Sequence, residues 1–286
     1  MPRFLAVGHV TRDQRPGGDV LGGSAAFAAL TARELGWETG VLTSAGPDFD
    51  PERELPGVSV FLHSSPATTR FVNTYAADGT RQQTVTSRAE DVVLDPLPDA
   101  WRQPDALMLS PVAGELGAVG VASFEADAVG AVAQGWLREI DASGAVTPRQ
   151  WEQARRDLLG VHVVFLSEQD LPDADAGARE LLRYVPLVAL TRGWHGLTLL
   201  TRDGAHAVSS LPRTEVDPTG AGDVFAAAFL VRYHEAGDPL EAAAFAACAA
   251  SCAVEGVGAS SLGDRDEVLR RLQMRERLLE EGEWDE

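Results

Sequence analysis

Short apolar runs separated by helix-forming segments constrain this chain more than any other feature. RFLAVGHVT near the start, DALMLSPV from Asp105, VHVVFLSE from Val161 and PLVALTRG from Pro186 are each strand-length and almost free of polar interruption. Such runs read as strands buried on both faces. Between and around them lie SAAFAALTARELG, which stops at Gly36 as a helix with a C-terminal glycine should, then PRQWEQARRDLLG and DAGARELLRYV. WETGVLTSAG reads as a further strand, HGLTLLTRDGAHAVSS as a hairpin, and DRDEVLRRLQMRERLLEEGEWDE as an amphipathic surface helix with an acidic end. Alternating strands and helices predict an α/β fold: a mostly parallel central sheet, helices on both faces, and ligands at the carboxyl ends of the strands.

One region breaks the rhythm. GVSVFLHSS, ATTRFVNTYAADG and TRQQTVTSR alternate polar and apolar residues, with ADG as the turn of a hairpin. Alternation implies strands with one wet face, so a small antiparallel sheet is expected here, formed by about 12–20 and 57–88 and serving as a lid. The 286 residues fit a single α/β domain over 1–286. A half-wet lid sheet also suits a contact surface, and a homodimer through it is the expected assembly. The net charge of −19 argues against nucleic acid and anionic membranes as partners. MPRFLAVGHV has no charged-then-apolar leader pattern, and no apolar run reaches membrane-spanning length, so cytoplasmic residence is expected. Cys248 and Cys252 are four apart in an alanine-rich segment, a spacing that suits packing inside a helix.

All 24 basic residues are arginines, and the chain contains no lysine. A Walker A loop, a pyridoxal Schiff base and the protein-kinase strand lysine are thereby excluded. Any phosphate chemistry must run on backbone N–H groups, arginine and metal. The stretch TEVDPTGAGDVFAAAF from Thr214 supplies such a device. Its glycines allow tight turns, and the apolar segment behind them predicts a core helix whose first N–H groups, at Gly220, Ala221 and Gly222, point outward where the macrodipole favours an anion. Asp223 sits in the first turn, placed to take a proton from an attacking hydroxyl. An ordinary helix cap is the competing reading of the same residues.

DPTGAGDVFAAAFL closely resembles the C-terminal signature of the ribokinase-like, or PfkB-type, small-molecule kinases. The likeness extends along the chain. AVGHVTRD resembles the family's first strand and its substrate-contacting aspartate, here Asp13; LGGSAAFAALTARELG resembles the glycine-pair motif, here Gly22 and Gly23; TTRFVNTYAADGTRQQTV resembles the lid. VVFLSEQDL stands where the family has an Asn-x-x-Glu-type motif, ALTRGWHG where a turn meets the nucleotide, and GVGAS where a late loop supports a monovalent cation. The resemblance implies a ribokinase-like three-layer sandwich and a kinase that phosphorylates a hydroxyl of a small sugar, polyol or nucleoside, with ATP and Mg2+ and a possible K+ requirement. It implies Asp223 as catalytic base over the Gly220, Ala221 and Gly222 anion hole. It further implies nucleotide contacts at Ser167, Glu168, Thr191, Gly193 and Gly196, water-mediated magnesium binding at Glu168, and monovalent-cation binding at Asp217.

Two positions depart from the pattern: Phe27 replaces an asparagine that bonds substrate in many sugar kinases of the family, and Ser167 replaces the asparagine of the phosphate-side motif. They leave open a non-catalytic nucleotide- or polyol-binding protein on the same fold. TTRFVNTY, GTRQQ and SPVAGEL resemble the inositol-kinase-like branch. Arg81, after the lid turn, reads either as a clamp on substrate or as a solvated arginine. Glu115 reads either as a polyol ligand or as a helix-start carboxylate. His9 and His195 stand beside glycines at strand ends, where each could line a site. A dinucleotide-dependent oxidoreductase is disfavoured, because AVGHVTRD lacks the Gly-x-Gly-x-x-Gly turn.

Overall fold

Phe4, Leu5, Ala6 and Val7 are without exposed surface, as a strand with both faces covered requires. They form β1 (Arg3–Val7) at the centre of the sheet in a computed structural model that describes residues 1–15, 17–75 and 81–281, with the side chains of Tyr75 and Arg81 also outside the described residues. From β1 the chain runs through β2 (Thr11–Arg15), β3 (Gly18–Gly22), α1 (Ser24–Glu34), β4 (Glu38–Ala45), the single turn α2 (Pro51–Glu54), β5 (Ser59–Ser64), β6 (Thr69–Tyr75) and β7 (Arg81–Ser87). The middle of the chain gives β8 (Ala106–Leu109), β9 (Ala128–Val132), the hairpin β10 (Arg138–Ile140) and β11 (Val146–Pro148), and the single turn α3 (Ala154–Asp157). It ends with β12 (Val163–Ser167), α4 (Ala174–Leu181), β13 (Leu187–Thr191), β14 (Leu197–Thr201), β15 (Gly204–Val208), α5 (Ala221–Ala236), α6 (Pro239–Ala253) and α7 (Arg265–Glu280).

The main sheet has nine strands in the order β15-β14-β13-β12-β9-β8-β1-β4-β5. Seven are mutually parallel, and the β14–β15 hairpin adds the antiparallel edge. Helices α1, α5 and α6 fill one face and α3 and α4 the other, giving two apolar cores and three layers. Helix α5 is apolar all round: Val224 through Val231 are buried without a gap, as suits a helix enclosed by the sheet, α1 and α6. No described helix is long and apolar enough to cross a membrane.

The small sheet has the order β3-β2-β6-β7, with two antiparallel hairpins joined by a parallel β2–β6 pair. Its span differs from the expectation at one end. β5 belongs to the main sheet, paired in parallel with β4; it is an edge strand partly buried on both faces, with Val60 and Leu62 against one core and Phe61 against the other. The ADG turn lies outside the described residues. PRQWEQARRDLLG yields only the four-residue α3, with Trp151 stacked on Trp136 at 4.6 Å and its indole N–H donating to Asp157. Those contacts fix the segment against β10 and leave little of it free to wind into a longer helix.

Candidate active site

At the carboxyl end of β1 the chain turns up into the lid through His9, which is wholly buried. Its N–H donates to Glu115 Oε1 at 2.8 Å, while ring atoms Nδ1 and Nε2 lie 2.8 Å from Thr69 Oγ1 and 2.9 Å from the Glu90 carbonyl. Burial lowers the imidazole pKa, against the opposing charge of Glu115. His9 therefore braces the lid root and does not line the cleft. Glu115 is likewise fully buried, and its carboxylate accepts the backbone N–H groups of His9, Val112 and Ala113. This corrects the expectation of a polyol ligand: the SPVAGEL loop wraps a carboxylate because its own amides would otherwise be buried without acceptors.

Between lid and sheet lies a cleft of about 670 Å³. Asp13 lines it from β2. A methyl group at Gly22 would stand 2.8 Å from Asp13 Oδ1 and 2.6 Å from Thr11 Oγ1, so only glycine leaves room for that carboxylate. Gly23, at φ +95°, would bring a Cβ to 2.4 Å from the His9 carbonyl oxygen. Its own carbonyl begins α1 by accepting from Ala26 and Phe27.

Opposite Asp13, α5 starts from Gly220 in the left-handed conformation at φ +82°, with no side-chain cap. Ala221 departs from the expected cradle, since its N–H donates to the Pro218 carbonyl at 3.2 Å. Among the described residues the amides of Gly220, Gly222 and Asp223 have no protein acceptor, so the open donors at this helix end are those three. Asp223 lines the cleft and is half-buried. Burial pushes its carboxyl up to about 6; a hydrogen bond from Ser24 and the charge of Arg138 pull it down, and Asp170 and Asp13 push it up. A carboxylate in that range is still mostly ionised at neutral pH, yet basic enough to receive a proton.

On the other side of the cleft, Ser167 ends β12 with its N–H donating to Asp170 Oδ2 at 2.8 Å and its hydroxyl accepting from Gln169. Glu168 lines the cleft with its carboxylate 3.8 Å from Arg192. Thr191 ends β13 with its hydroxyl on the Leu166 carbonyl, and the turn of Gly193 and Gly196 follows. Gly196 lies so close to Val208 that a Cβ would meet its carbonyl oxygen at 2.2 Å. His195 is exposed, packs its ring on Trp194, and does not line the cleft. Asp217 is buried below Pro218 and Thr219. Its Oδ1 accepts the Thr219 N–H, and its Oδ2 takes Arg15 Nη2 at 2.8 Å. Arg81 heads β7, with its side chain outside the described residues.

The geometry adds residues that sequence reasoning missed. Arg138 enters the cleft from β10, Asp170 faces Asp223 three residues after Ser167, Ser24 bonds Asp223, and Gln83 donates to Asn73 at 3.0 Å across the lid hairpin. ADAVGAVAQGWLREIDASGAV held a readable signal for Arg138: a short apolar run, then two short strands around an ASG turn.

Residues 155–265 match the sequence model of the pfkB family carbohydrate kinases. Over that segment the chain is similar to this family. The matched segment contains Ser167, Glu168, Asp170, Thr191, Asp217 and Asp223; Asp13, Gly22 and Gly23 lie upstream of it. A cytidine kinase of Thermococcus kodakarensis is 29% identical over 266 residues, covering 83% of this chain and 90% of that protein. Among solved structures, a pyrophosphate-dependent kinase of the ribokinase family superposes with a TM-score of 0.76 at 22% identity, covering 93% of this chain and 99% of that one. A ribokinase from Thermotoga maritima gives 0.71 at 21% identity, covering 96% and 100%. These likenesses establish the ribokinase-like fold.

Proposed function

We propose that the chain transfers the γ-phosphoryl group of ATP to a hydroxyl of a small uncharged sugar, polyol or nucleoside. One observation carries the reading: Asp223, raised to about 6, stands in a cleft beside open N–H donors at a helix start and opposite Asp13. The amides and helix dipole suit the charge that builds on a migrating phosphoryl group, and the adjacent carboxylate suits the proton leaving the acceptor. Lid strands β2, β6 and β7 bring Asp13, Asn73 and Gln83 over the acceptor side, and these groups offer hydrogen bonds without a cation for an acceptor phosphate. Covering that side with a sheet excludes water that would otherwise take the phosphoryl group.

Magnesium suits the donor side. Asp170 and Glu168 line the cleft there, and this ion is held by one or two carboxylates together with substrate phosphates. Bound there, it would neutralise phosphate charge. Arg138 supplies fixed positive charge near Asp223, in place of a lysine the chain does not have. The turn of Gly193, Trp194 and Gly196 with Leu211 and Ala250 is the proposed nucleotide side. ATP as donor fits the expected cytoplasmic setting. Phe27 does not weaken this reading, because its ring packs on Gly220 and shapes the helix start.

An ADP-release assay over inositols, pentoses, hexoses and nucleosides tests the proposal. At least one acceptor is expected to turn over, and Asp223→Asn to lower that turnover by about 10³-fold or more while nucleotide still binds. Near-normal turnover in the variant would remove the assigned base.

A further inference from the structure

Asp217 occupies the place where a monovalent cation is expected, and the residues around it test whether one fits. A potassium ion gives up water only for a set of protein oxygens with lone pairs aimed at it. Three carbonyl oxygens facing that place, at the end of α6 and just after it, are engaged with donors of the protein itself. The Val254 carbonyl accepts two backbone N–H groups, from Val216 at 2.7 Å and Asp217 at 3.2 Å. The Val257 carbonyl accepts the N–H and the hydroxyl of Ser260, and the Ala253 carbonyl accepts the hydroxyl of Ser261. A carbonyl has two lone pairs, so two of these three oxygens are already saturated.

The Asp217 carboxylate is surrounded in the same way. Oδ1 accepts the Thr219 N–H at 3.0 Å; Oδ2 accepts Arg15 Nη2 at 2.8 Å and the Gly258 N–H at 3.4 Å. Arg15 Nη2 also reaches Thr219 Oγ1 at 3.3 Å. Although burial alone would lift the Asp217 pKa, bonds from Thr219 and Arg15 hold it below the usual carboxylate range, so the carboxylate is charged and compensated. A free cation at Oδ2 would have to share that oxygen with a guanidinium of the same sign. The residues present do not fit potassium.

Arg15 comes from the lid. It closes β2, where it pairs with Gly18 of β3, and its side chain spans to the loop that leads into α5. We infer that the Arg15 guanidinium is the built-in counter-charge of Asp217, replacing a free monovalent cation, so that the site before α5 is completed by the lid and is indifferent to potassium. Arg15 is on this view a positioning residue. It holds the loop of Asp217 to Thr219, and through it the start of the helix that bears Asp223, in the arrangement the lid sets when it covers the cleft. On the proposed kinase reading, the lid thereby brings its own cation to the site.

Thermal melting of the full chain in potassium chloride against tetramethylammonium chloride at equal ionic strength tests this without requiring turnover. The native protein is expected to melt at the same temperature in both salts, and so is Arg15→Lys, which keeps the charge. Arg15→Ala, which uncovers Asp217, is expected to gain an upward shift specific to potassium. A potassium-specific shift in the native protein, or no such shift in Arg15→Ala, overturns the inference. Turnover measured alongside should be equal in the two salts for the native protein and about tenfold lower for Arg15→Ala without potassium. If melting follows expectation while no acceptor is phosphorylated, the kinase reading fails and the counter-charge role stands.

Discussion

The Cα of Gly220 rests against the ring of Phe27: a methyl group built at position 220 would stand 2.6 Å from Cδ1, in a backbone already at φ +82°. Two penalties therefore meet in Gly220→Ala. The left-handed backbone and the overpacked ring together should remove about 2–4 kcal/mol of stability. Urea unfolding checks the number, and a Phe27→Leu background checks the cause. There the loss should shrink by about 1 kcal/mol, with the backbone penalty left over. Equal losses in the two backgrounds would mean that the ring contact does not set this helix start.

Asp223 links activity to stability with opposite signs. Its folded pKa, about 6, lies above its ordinary value of 3.8, so its contribution to stability is fully present below about 4 and is lost as pH rises through about 6. Asp223→Asn removes the charge and keeps an acceptor for Ser24. The variant should therefore be more stable than the native protein at pH 8, by about 1–2 kcal/mol once solvent at the cleft mouth is allowed for, with the difference vanishing near pH 4. Native kcat/KM should fall on the acid side with a midpoint near 6. A variant less stable than the native protein at pH 8 would mean that this carboxyl is not held at a cost.

Much of this molecule was legible in the sequence because its physics is local. The buried strands announce themselves as apolar runs, and α5 as an apolar segment behind Gly220 to Asp223. What was hidden depends on tertiary partners. β5 reads like a lid strand because it lies at the edge of the main sheet, where both of its faces are only partly covered. Glu115 looked like a ligand because a sequence does not reveal that three backbone amides from two loops converge on it. Arg138 sits on a three-residue strand, too short for periodicity, and only folding brings it within reach of a carboxylate 85 positions later.

Glu115 yields a prediction that separates a brace from a ligand. Glu115→Ala leaves the amides of His9, Val112 and Ala113 buried without acceptors, and should cost about 3 kcal/mol or more. Glu115→Gln retains one acceptor oxygen and should lose about half as much. In both variants the acceptor KM is expected to stay within about threefold of the native value wherever the protein remains folded. Denaturant unfolding and steady-state kinetics on the same preparations check this. A raised KM at unchanged stability would restore the polyol-ligand reading.

Arg138 belongs to a hairpin that is fastened to the lid. The Gly144 carbonyl at its turn accepts the Val85 N–H at 2.8 Å, Thr84 bridges Ala145, and Ile140 and Val146 pack on a small core of Phe71, Val85, Val112 and Ala113. The charge near Asp223 is thus carried on an element that shares its packing with the cover of the cleft. Because that charge favours the ionised carboxylate, Arg138→Gln should raise the Asp223 pKa and move the acid limb of kcat/KM upward by about half to one pH unit. Loss of this cation from the lining of the proposed phosphoryl-transfer cleft should also lower kcat by about 10²-fold, with a smaller change in the acceptor KM. Arg138→Lys should restore the limb more fully than kcat, since the ammonium replaces the charge without the planar fork. The pH profiles of the three proteins decide the point: an unmoved acid limb in Arg138→Gln would place the guanidinium too far from Asp223 to act on its proton.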